Sequence, residues 1–174
     1  MGKRSGFARK ELDFYRTPMS AVRPLLRFVP KGATFCEPCA GDGALAGHLE
    51  NHGLRCVSAF DVEPKADGIQ RHDASWIRED DLNGADLIIT NPPWDRPVLH
   101  QIIERCSILR PTWLLFDADW MHTLQSHDYM SLCRRIVSVG RVQWIEGSGM
   151  SGKDNCCWYL FDQSTQGEPI FTGR

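Results

Sequence analysis

The sequence predicts an α/β fold with a mostly parallel sheet, helices on both faces and an antiparallel hairpin near the C-terminal end. Short apolar runs alternate with helical patterns over residues 33–135, as in parallel sheets with crossover helices. Two further apolar runs, 136–145 and 156–162, are joined by a loop rich in Gly and Ser, which is typical of a hairpin. The 174 residues contain no repeat and no convincing linker, so we expect one domain.

The apolar runs predict five strands ahead of the hairpin, each short enough for a buried strand. These strands are expected at 33–37, 55–60, 68–72, 86–90 and 113–116. Helices are expected at 44–52, 97–109 and 122–135. Gly53 suits the left-handed residue that follows many helices, and Pro97 suits the first turn of the second helix.

The charge of the chain is unevenly distributed. Residues 1–31 carry eight Lys/Arg and two acidic residues, a net charge of +6, whereas the remainder carries 12 basic and 20 acidic residues, a net charge of −8. A basic arm of this kind either contacts phosphates or is simply solvated. Both interpretations stay open at this point.

The cysteines and the apolar runs indicate in which cell compartment the protein is expected and whether it is expected to bind a metal. Seven cysteines, odd in number and mostly within apolar runs, indicate reduced thiols in a cytoplasmic protein. No apolar stretch approaches the ~20 residues of a membrane span, and residues 1–10 lack the core of a signal peptide, so no membrane partner is expected. Cys36 and Cys39 have no second pair at ligand spacing and the six histidines form no HExxH pattern, so no metal site is expected.

A glycine-containing loop follows the first predicted strand. Residues 36–45, CEPCAGDGAL, end the strand with Glu37, pass through Gly-Asp-Gly at 41–43 and enter a helix. The glycines allow close approach of a ligand, and the start of a helix presents free N–H groups to an anion. Asp61 ends the second strand about twenty residues later, where a carboxylate suits ribose hydroxyls. The GxGxxA spacing also fits a dinucleotide, so the loop alone leaves the cofactor open.

Asn91-Pro92-Pro93-Trp94 directly follows the apolar run 85–90. The strand must stop there, because neither proline can donate to a ladder. The motif therefore lies at the carboxyl end of a strand, where open α/β sheets bind their ligands. The Asn91 amide oxygen and the Pro92 carbonyl suit the two hydrogens of a planar amino group, and Trp94 offers a ring for stacking.

This motif resembles the signature (Asn/Asp/Ser)-Pro-Pro-(Tyr/Phe/Trp) of the class I S-adenosylmethionine-dependent amino-methyltransferases, over about residues 13–162. The resemblance implies a seven-stranded Rossmann-like sheet and S-adenosyl-L-methionine as cofactor, since nicotinamide enzymes have no use for the Asn-Pro-Pro-Trp corner. It also implies a basic arm with a cofactor-lid segment at 1–31, a single catalytic domain at 32–164 and a C-terminal tail at 165–174. No separate target-recognition domain is expected.

The resemblance carries over to particular residues. In the family the glycine loop wraps the methionine part of the cofactor, the segment at 13–18 closes over it, and Asp73 matches a position that receives the adenine amino group. The implied cofactor-binding residues are Tyr15, Thr17, Pro18, Glu37, Pro38, Gly41, Asp42, Gly43, Asp61, Val62, Asp73, Ala74 and Asn91. The implied catalytic residues are Asn91, Pro92, Pro93 and Trp94.

The implied reaction is an in-line methyl transfer to an exocyclic amino group, with adenine N6 of a flipped DNA base as the first choice. The order of lid segment, glycine loop and Pro-Pro corner is similar to one arrangement of DNA adenine methyltransferases, including small phage-type enzymes. A base in RNA, a protein glutamine amide and a catalytically idle cofactor-binding module stay open as alternatives. The sequence does not indicate an oligomeric state.

Substrate contacts are expected from loops, from the basic arm or from a partner, and sequence preference is expected to be short or relaxed. The candidate substrate contacts are Trp94, Asp119, Trp120, Lys153 and Asn155.

The segment 147–154 nearly matches a phosphate-binding P-loop, but a strand follows it where a helix should. The tryptophans expected in strands of the core are Trp113, Trp144 and Trp158.

Overall fold

An eight-stranded sheet organises the residues that the computed structural model describes, 15–145 and 152–174. Its strands are β1 (Thr34–Glu37), β2 (Arg55–Asp61), β3 (Gln70–Arg71), β4 (Leu87–Thr90), β5 (Thr112–Asp117), β6 (Cys133–Arg141), β7 (Asn155–Phe161) and β8 (Ile170–Thr172). The helices are α1 (Met19–Val22), α2 (Ala44–Glu50), α3 (Arg96–Leu109) and α4 (His127–Met130). Residues 1–14 of the basic arm and residues 146–151, which include most of the segment that nearly matches a P-loop, lie outside the described residues.

The strand order is β3-β2-β1-β4-β5-β7-β6-β8. Strands β1 to β5 pair in parallel, and β7 runs antiparallel to both β5 and β6. The predicted fold class, a mostly parallel sheet with an antiparallel C-terminal hairpin, is therefore confirmed. The eighth strand is an addition, because β8 lies within the segment expected to be a tail and pairs in parallel with β6.

Helices cover both faces of the sheet and bury two apolar clusters against it. Helices α1 and α2 pack on one face through residues such as Leu45 and Leu49, and α3 packs on the other through Leu99 and Ile103. The indole nitrogen of Trp158 in β7 anchors α1 by donating to the Ala21 carbonyl at 2.8 Å. Among the described helices, none has both the length and the apolar character needed to cross a membrane.

The predicted helix at 122–135 is wrong. Two 3-10 turns, Ala118–His122 and Leu124–Ser126, and the single-turn helix α4 fill this region, and β6 already begins at Cys133. The apolar side chains do not form one helical face, since Leu124 is 96% exposed while Cys133 and Ile136 are buried in the sheet. Pairing of the nine-residue β6 with β7 outweighs the local helical preference.

The strand order reverses between β1 and β4, which are parallel neighbours. At such a switch point the connections leave toward opposite sides and open a crevice beyond the carboxyl ends of the strands. Glu37 ends β1 and Asn91 follows β4. The two predicted halves of the site therefore meet at this crevice.

Candidate active site

The glycine loop between β1 and α2 adopts backbone conformations that require glycine. Gly41 has φ of 54° and Gly43 has φ of 78°, both in the left-handed region. The Asp61 carboxylate braces the loop, because one oxygen accepts from the Gly41 N–H at 2.8 Å and the other from the Glu63 N–H at 2.8 Å. Asp61 thereby fixes the loop. It also lines the cavity, and its carboxylate is the group predicted to contact a ribose.

The Asn91 side chain is held on one side only. Its Nδ2 donates to Thr17 Oγ1 at 3.2 Å and to the Tyr15 carbonyl at 3.5 Å, whereas its Oδ1 is buried and has no hydrogen-bond partner. The orientation of the amide follows from chemistry, because a carbonyl can only accept, so the NH2 group must face Tyr15. The amide oxygen therefore points to the opposite side and can accept a hydrogen bond there.

The segment from Tyr15 to Pro18 joins the two halves of the site. Besides the contacts to Asn91, Arg16 forms an ion pair with Asp42 of the glycine loop, with Nε and Oδ2 3.1 Å apart. Pro18 begins α1 as its N-terminal cap residue. These contacts connect the segment both to Asn91 and to the glycine loop.

Buried polar atoms without partners cluster at the ends of β1 and β4. Among the described residues they include Glu37 Oε2, Thr90 Oγ1 and Asn91 Oδ1. Burial raises the pKa of Glu37 well above its usual range, and the nearby carboxylates of Asp42 and Asp61 raise that pKa further, although a bond from the Ala46 N–H opposes the rise. Unsatisfied buried groups are rare in folded proteins, so this concentration points to a ligand site.

A cavity of about 540 Å³ lies over these atoms. The predicted cofactor-binding residues that line it are Tyr15, Thr17, Glu37, Pro38, Gly41, Asp42, Asp61, Val62, Asp73, Ala74 and Asn91. Gly43 lies just beyond the wall as the N-terminal cap of α2. Of the predicted catalytic residues other than Asn91, Pro93 lines the cavity, whereas Pro92 and Trp94 lie outside its wall.

The sequence interpretation missed several residues of the wall. Val98, Gln101 and Ile102 of α3 face the cavity, and their spacing along one helical face directly after the Pro-Pro corner is the signal that could have located them. Trp76, at the end of the turn capped by Asp73, also lines the cavity and is 63% exposed. No sequence pattern distinguishes this tryptophan from a core residue.

The corner formed by residues 91–94 is also anchored from the β5 side. Arg96 at the start of α3 donates through Nη2 to Asp117 Oδ2 at 2.8 Å. The Tyr159 hydroxyl donates to the Asp117 carbonyl at 3.0 Å. These contacts fix the carboxyl ends of β4 and β5 relative to each other, so the corner is rigid on both sides.

Trp144 lies beside the corner, and the expectation that it belongs to a strand in the core is wrong. Strand β6 ends at Arg141, and the half-buried Trp144 follows it. Its ring meets Trp94 edge-on with centroids 5.9 Å apart and lies 6.2 Å from the Tyr15 ring. The three rings form an aromatic cluster over the corner. Trp113 and Trp158 are core residues, as expected.

The proposed substrate contact of Trp120 is contradicted by its burial. Trp120 is fully buried, packs against Phe116 and Tyr159, and donates from its indole nitrogen to His100 Nε2 at 3.1 Å. The 3-10 turn after β5 directs this large ring inward, because burying it stabilises the core. The other candidate substrate contacts, Asp119, Lys153 and Asn155, are exposed and lie outside the cavity wall.

A search of protein-family models and of curated proteins found no match to this sequence. Among solved structures, the chain is similar to a Pyrococcus horikoshii protein assigned as an RNA methyltransferase, with 18% identity, a TM-score of 0.55, and coverage of 97% of this chain and 95% of that one. A Listeria monocytogenes protein assigned as a class I S-adenosylmethionine-dependent methyltransferase has 10% identity and a TM-score of 0.54, with coverage of 89% of this chain and 62% of that one.

The M protein of the type I restriction enzyme EcoKI is also similar, with 12% identity and a TM-score of 0.54. The match covers 90% of this chain and 48% of the M protein, so the chain spans about half the length of that protein. These similarities establish that the chain has the Rossmann-like methyltransferase fold.

Proposed function

We propose that this protein is an S-adenosylmethionine-dependent methyltransferase acting on an exocyclic amino group, with adenine N6 in DNA as the leading substrate. The observation that carries the proposal is the buried, unpartnered Oδ1 of Asn91, directed away from the lid at the junction of the cavity and the Pro-Pro corner. An amide oxygen fixed in this way accepts a hydrogen bond from an amine without having to reorient.

The residues of the cavity suit S-adenosylmethionine. Its volume of about 540 Å³ lies within the usual range for cofactor sites. Glu37 offers an unpaired buried oxygen to an ammonium group. Burial raises the pKa of Glu37, and a nearby cation would lower that pKa again by favouring the carboxylate. Asp61 would face the ribose, Asp73 the adenine amino group, and Val62 a face of the adenine ring.

The chain positions the amine for attack. Asn91 Oδ1 and the Pro92 carbonyl accept its two hydrogens, and Trp94 stacks on the ring that bears it, a contact of about 1–3 kcal/mol. Bound S-adenosylmethionine would supply a methyl group on a sulfonium sulfur: the nitrogen lone pair would form the new N–C bond as the S–C bond breaks and its electron pair stays on sulfur. The surplus proton on nitrogen leaves to water, since Asn91 cannot accept it. Catalysis is then mainly positioning by fixed dipoles.

The aromatic cluster lies beside the ring on which a base would stack. Trp144 and Trp94 are nearly perpendicular, with their centroids 5.9 Å apart. Stacking on Trp94 would offset much of the few kcal/mol needed to extrude a base from a duplex. We therefore place target entry beside these two tryptophans, with the exposed Lys153 and Asn155 at the rim.

Adenine in RNA is the second candidate substrate. It is favoured by the similarity to a protein assigned as an RNA methyltransferase, over nearly the full length of both chains. The similarity to a restriction-enzyme M protein favours DNA. Both substrates fit one catalytic domain at 32–164 whose substrate contacts come from loops or from a partner.

The test is identification of the methylated product. Purified protein is incubated with labelled S-adenosylmethionine and with adenine-containing DNA or RNA, and the nucleic acid is digested to nucleosides for mass analysis. We expect N6-methylated adenine nucleoside with the wild-type protein and almost none with Asn91→Ala. Tight NAD binding without any calorimetric response to S-adenosylhomocysteine would refute the proposal.

A further inference from the structure

Positive charge is concentrated in three segments that contain no acidic residue. Residues 15–33, 133–145 and 170–174 carry eight Lys/Arg and no Asp/Glu, whereas the rest of the chain carries 12 basic and 22 acidic residues, a net charge of −10. The fold brings the three segments together, since β8 pairs with β6 and α1 packs on the neighbouring β7. One side of a protein with a net charge of −2 is therefore strongly basic.

The arginines of this side contact one another through neutral groups. The guanidinium carbons of Arg27 and Arg135 lie 4.7 and 4.8 Å from the centre of the Phe28 ring. Arg135 also donates to Thr172 Oγ1 at 3.4 Å. Arg174, two residues after the end of β8, packs against Gly140. Its Nη1 lies 3.0 Å from the position that a Cβ atom would occupy at residue 140.

None of these arginines is paired with a carboxylate of the described residues. The ion pairs within 4.0 Å in that part of the chain involve other basic residues. Bringing unpaired like charges together is unfavourable in the free protein, and the cost is relieved when an anion binds. A guanidinium stacked on a ring keeps its N–H edge outward, and that edge matches a phosphate group.

The band of arginines runs along β6 toward the catalytic edge of the sheet. Gly140, against which Arg174 lies, pairs with Cys156 of β7, and Cys156 pairs with Asp117 at the carboxyl end of β5. Arg135 lies five residues before Gly140 in β6, about 17 Å away at the rise of a strand. This length corresponds to about five nucleotides of one strand at 3.4 Å each.

We infer that Arg27, Arg135 and Arg174 bind the phosphodiester backbone of the nucleic acid substrate beside the target base, an inference that rests on the proposed function. These contacts are independent of sequence and supply affinity and orientation. They give the single domain a substrate surface outside the catalytic cavity.

The test measures binding of a labelled adenine-containing oligonucleotide at several salt concentrations. We expect Arg27→Gln/Arg135→Gln to weaken binding on the order of tenfold and to reduce the slope of log K against log salt by about 1.4–1.8, at 0.7–0.9 per lost phosphate contact. Arg174→Gln should weaken binding in the same direction and reduce the slope by about 0.7–0.9, for one lost phosphate contact, without touching Phe28. Arg105→Gln, an exposed position of α3 on the opposite face, is the matched control and should leave affinity and slope unchanged.

Charge-conserving variants separate binding from structure. Arg27→Lys/Arg135→Lys retains both charges but loses the planar stacking, so it should keep most of the salt slope if the cations contact phosphate. Wild-type affinity and slope in both Arg27→Gln/Arg135→Gln and Arg174→Gln would overturn the inference, even if methyl transfer occurs. Salt-dependent binding that these Gln variants weaken, without methyl transfer by the wild type, would support the inference and refute the proposed function. Failure of the wild type to bind any oligonucleotide would refute both.

Discussion

The substitution Asn91→Ala separates catalysis from cofactor binding. It removes the amide oxygen proposed to accept the amine, and the loss of one such preorganised dipole lowers kcat by about 10²–10³, equivalent to about 2.7–4 kcal/mol. It also removes the bond from Nδ2 to Thr17 Oγ1 at 3.2 Å, while the contact to the Tyr15 carbonyl is already long at 3.5 Å. One neutral hydrogen bond is worth about 1 kcal/mol, so the Kd for S-adenosylhomocysteine should rise about fivefold.

Thr17→Val is the matched control for this substitution. It removes the same hydrogen bond between lid and corner with little change of volume, but it leaves Asn91 Oδ1 in place. We expect the same rise in the calorimetric Kd for S-adenosylhomocysteine and a nearly unchanged single-turnover rate at saturating cofactor. Equal loss of that rate in the two variants would show that Asn91 only holds the lid, and the proposed role of its oxygen would be refuted.

Three further outcomes are expected. Burial raises the pKa of Glu37, so the folded protein keeps a proton on this side chain that the unfolded chain releases above about pH 4.3. The free energy of unfolding should therefore fall as the pH rises from about 4.3 toward the pKa of the folded state, by up to about 1.4 kcal/mol per pH unit. Urea unfolding from pH 5 to 8 should show a smaller fall of the unfolding free energy with pH in Glu37→Gln than in the wild type. Equal pH dependence in the two proteins would contradict a raised pKa of Glu37. Asp61→Ala should weaken S-adenosylhomocysteine at least about tenfold by calorimetry, since it removes a charged ribose acceptor and frees the Gly41 N–H; an unchanged Kd would exclude that role. Trp120→Ala should lower the free energy of unfolding by about 3–5 kcal/mol, whereas Trp120→Phe should be milder and keep methyl transfer; loss of transfer in a stable Phe variant would argue for a substrate contact after all.

The parts of the candidate site that could be predicted are those whose backbone geometry depends on adjacent residues. The Pro-Pro corner ends β4 because proline lacks an N–H, and the Gly41 and Gly43 turns need a positive φ that only glycine adopts readily. Alternation of apolar runs and helical segments indicated the parallel order, and the Gly-rich connection indicated the hairpin. The Pro-Pro corner and the glycine turns each involve only a few adjacent residues, so predicting them needed no knowledge of the rest of the chain.

Other features depend on residues far apart in sequence, and only the tertiary structure decided them. Trp120 and Trp144 are both aromatic residues after a strand, yet one is fully buried against Tyr159 and the other lies over Trp94. Strand β8 forms because the edge of β6 offers unpaired backbone groups, a fact that residues 165–174 do not encode by themselves. The sequence therefore determined which polar residues lie at the ends of β1 and β4, whereas packing and strand pairing between distant segments decided which aromatic rings and cations surround them.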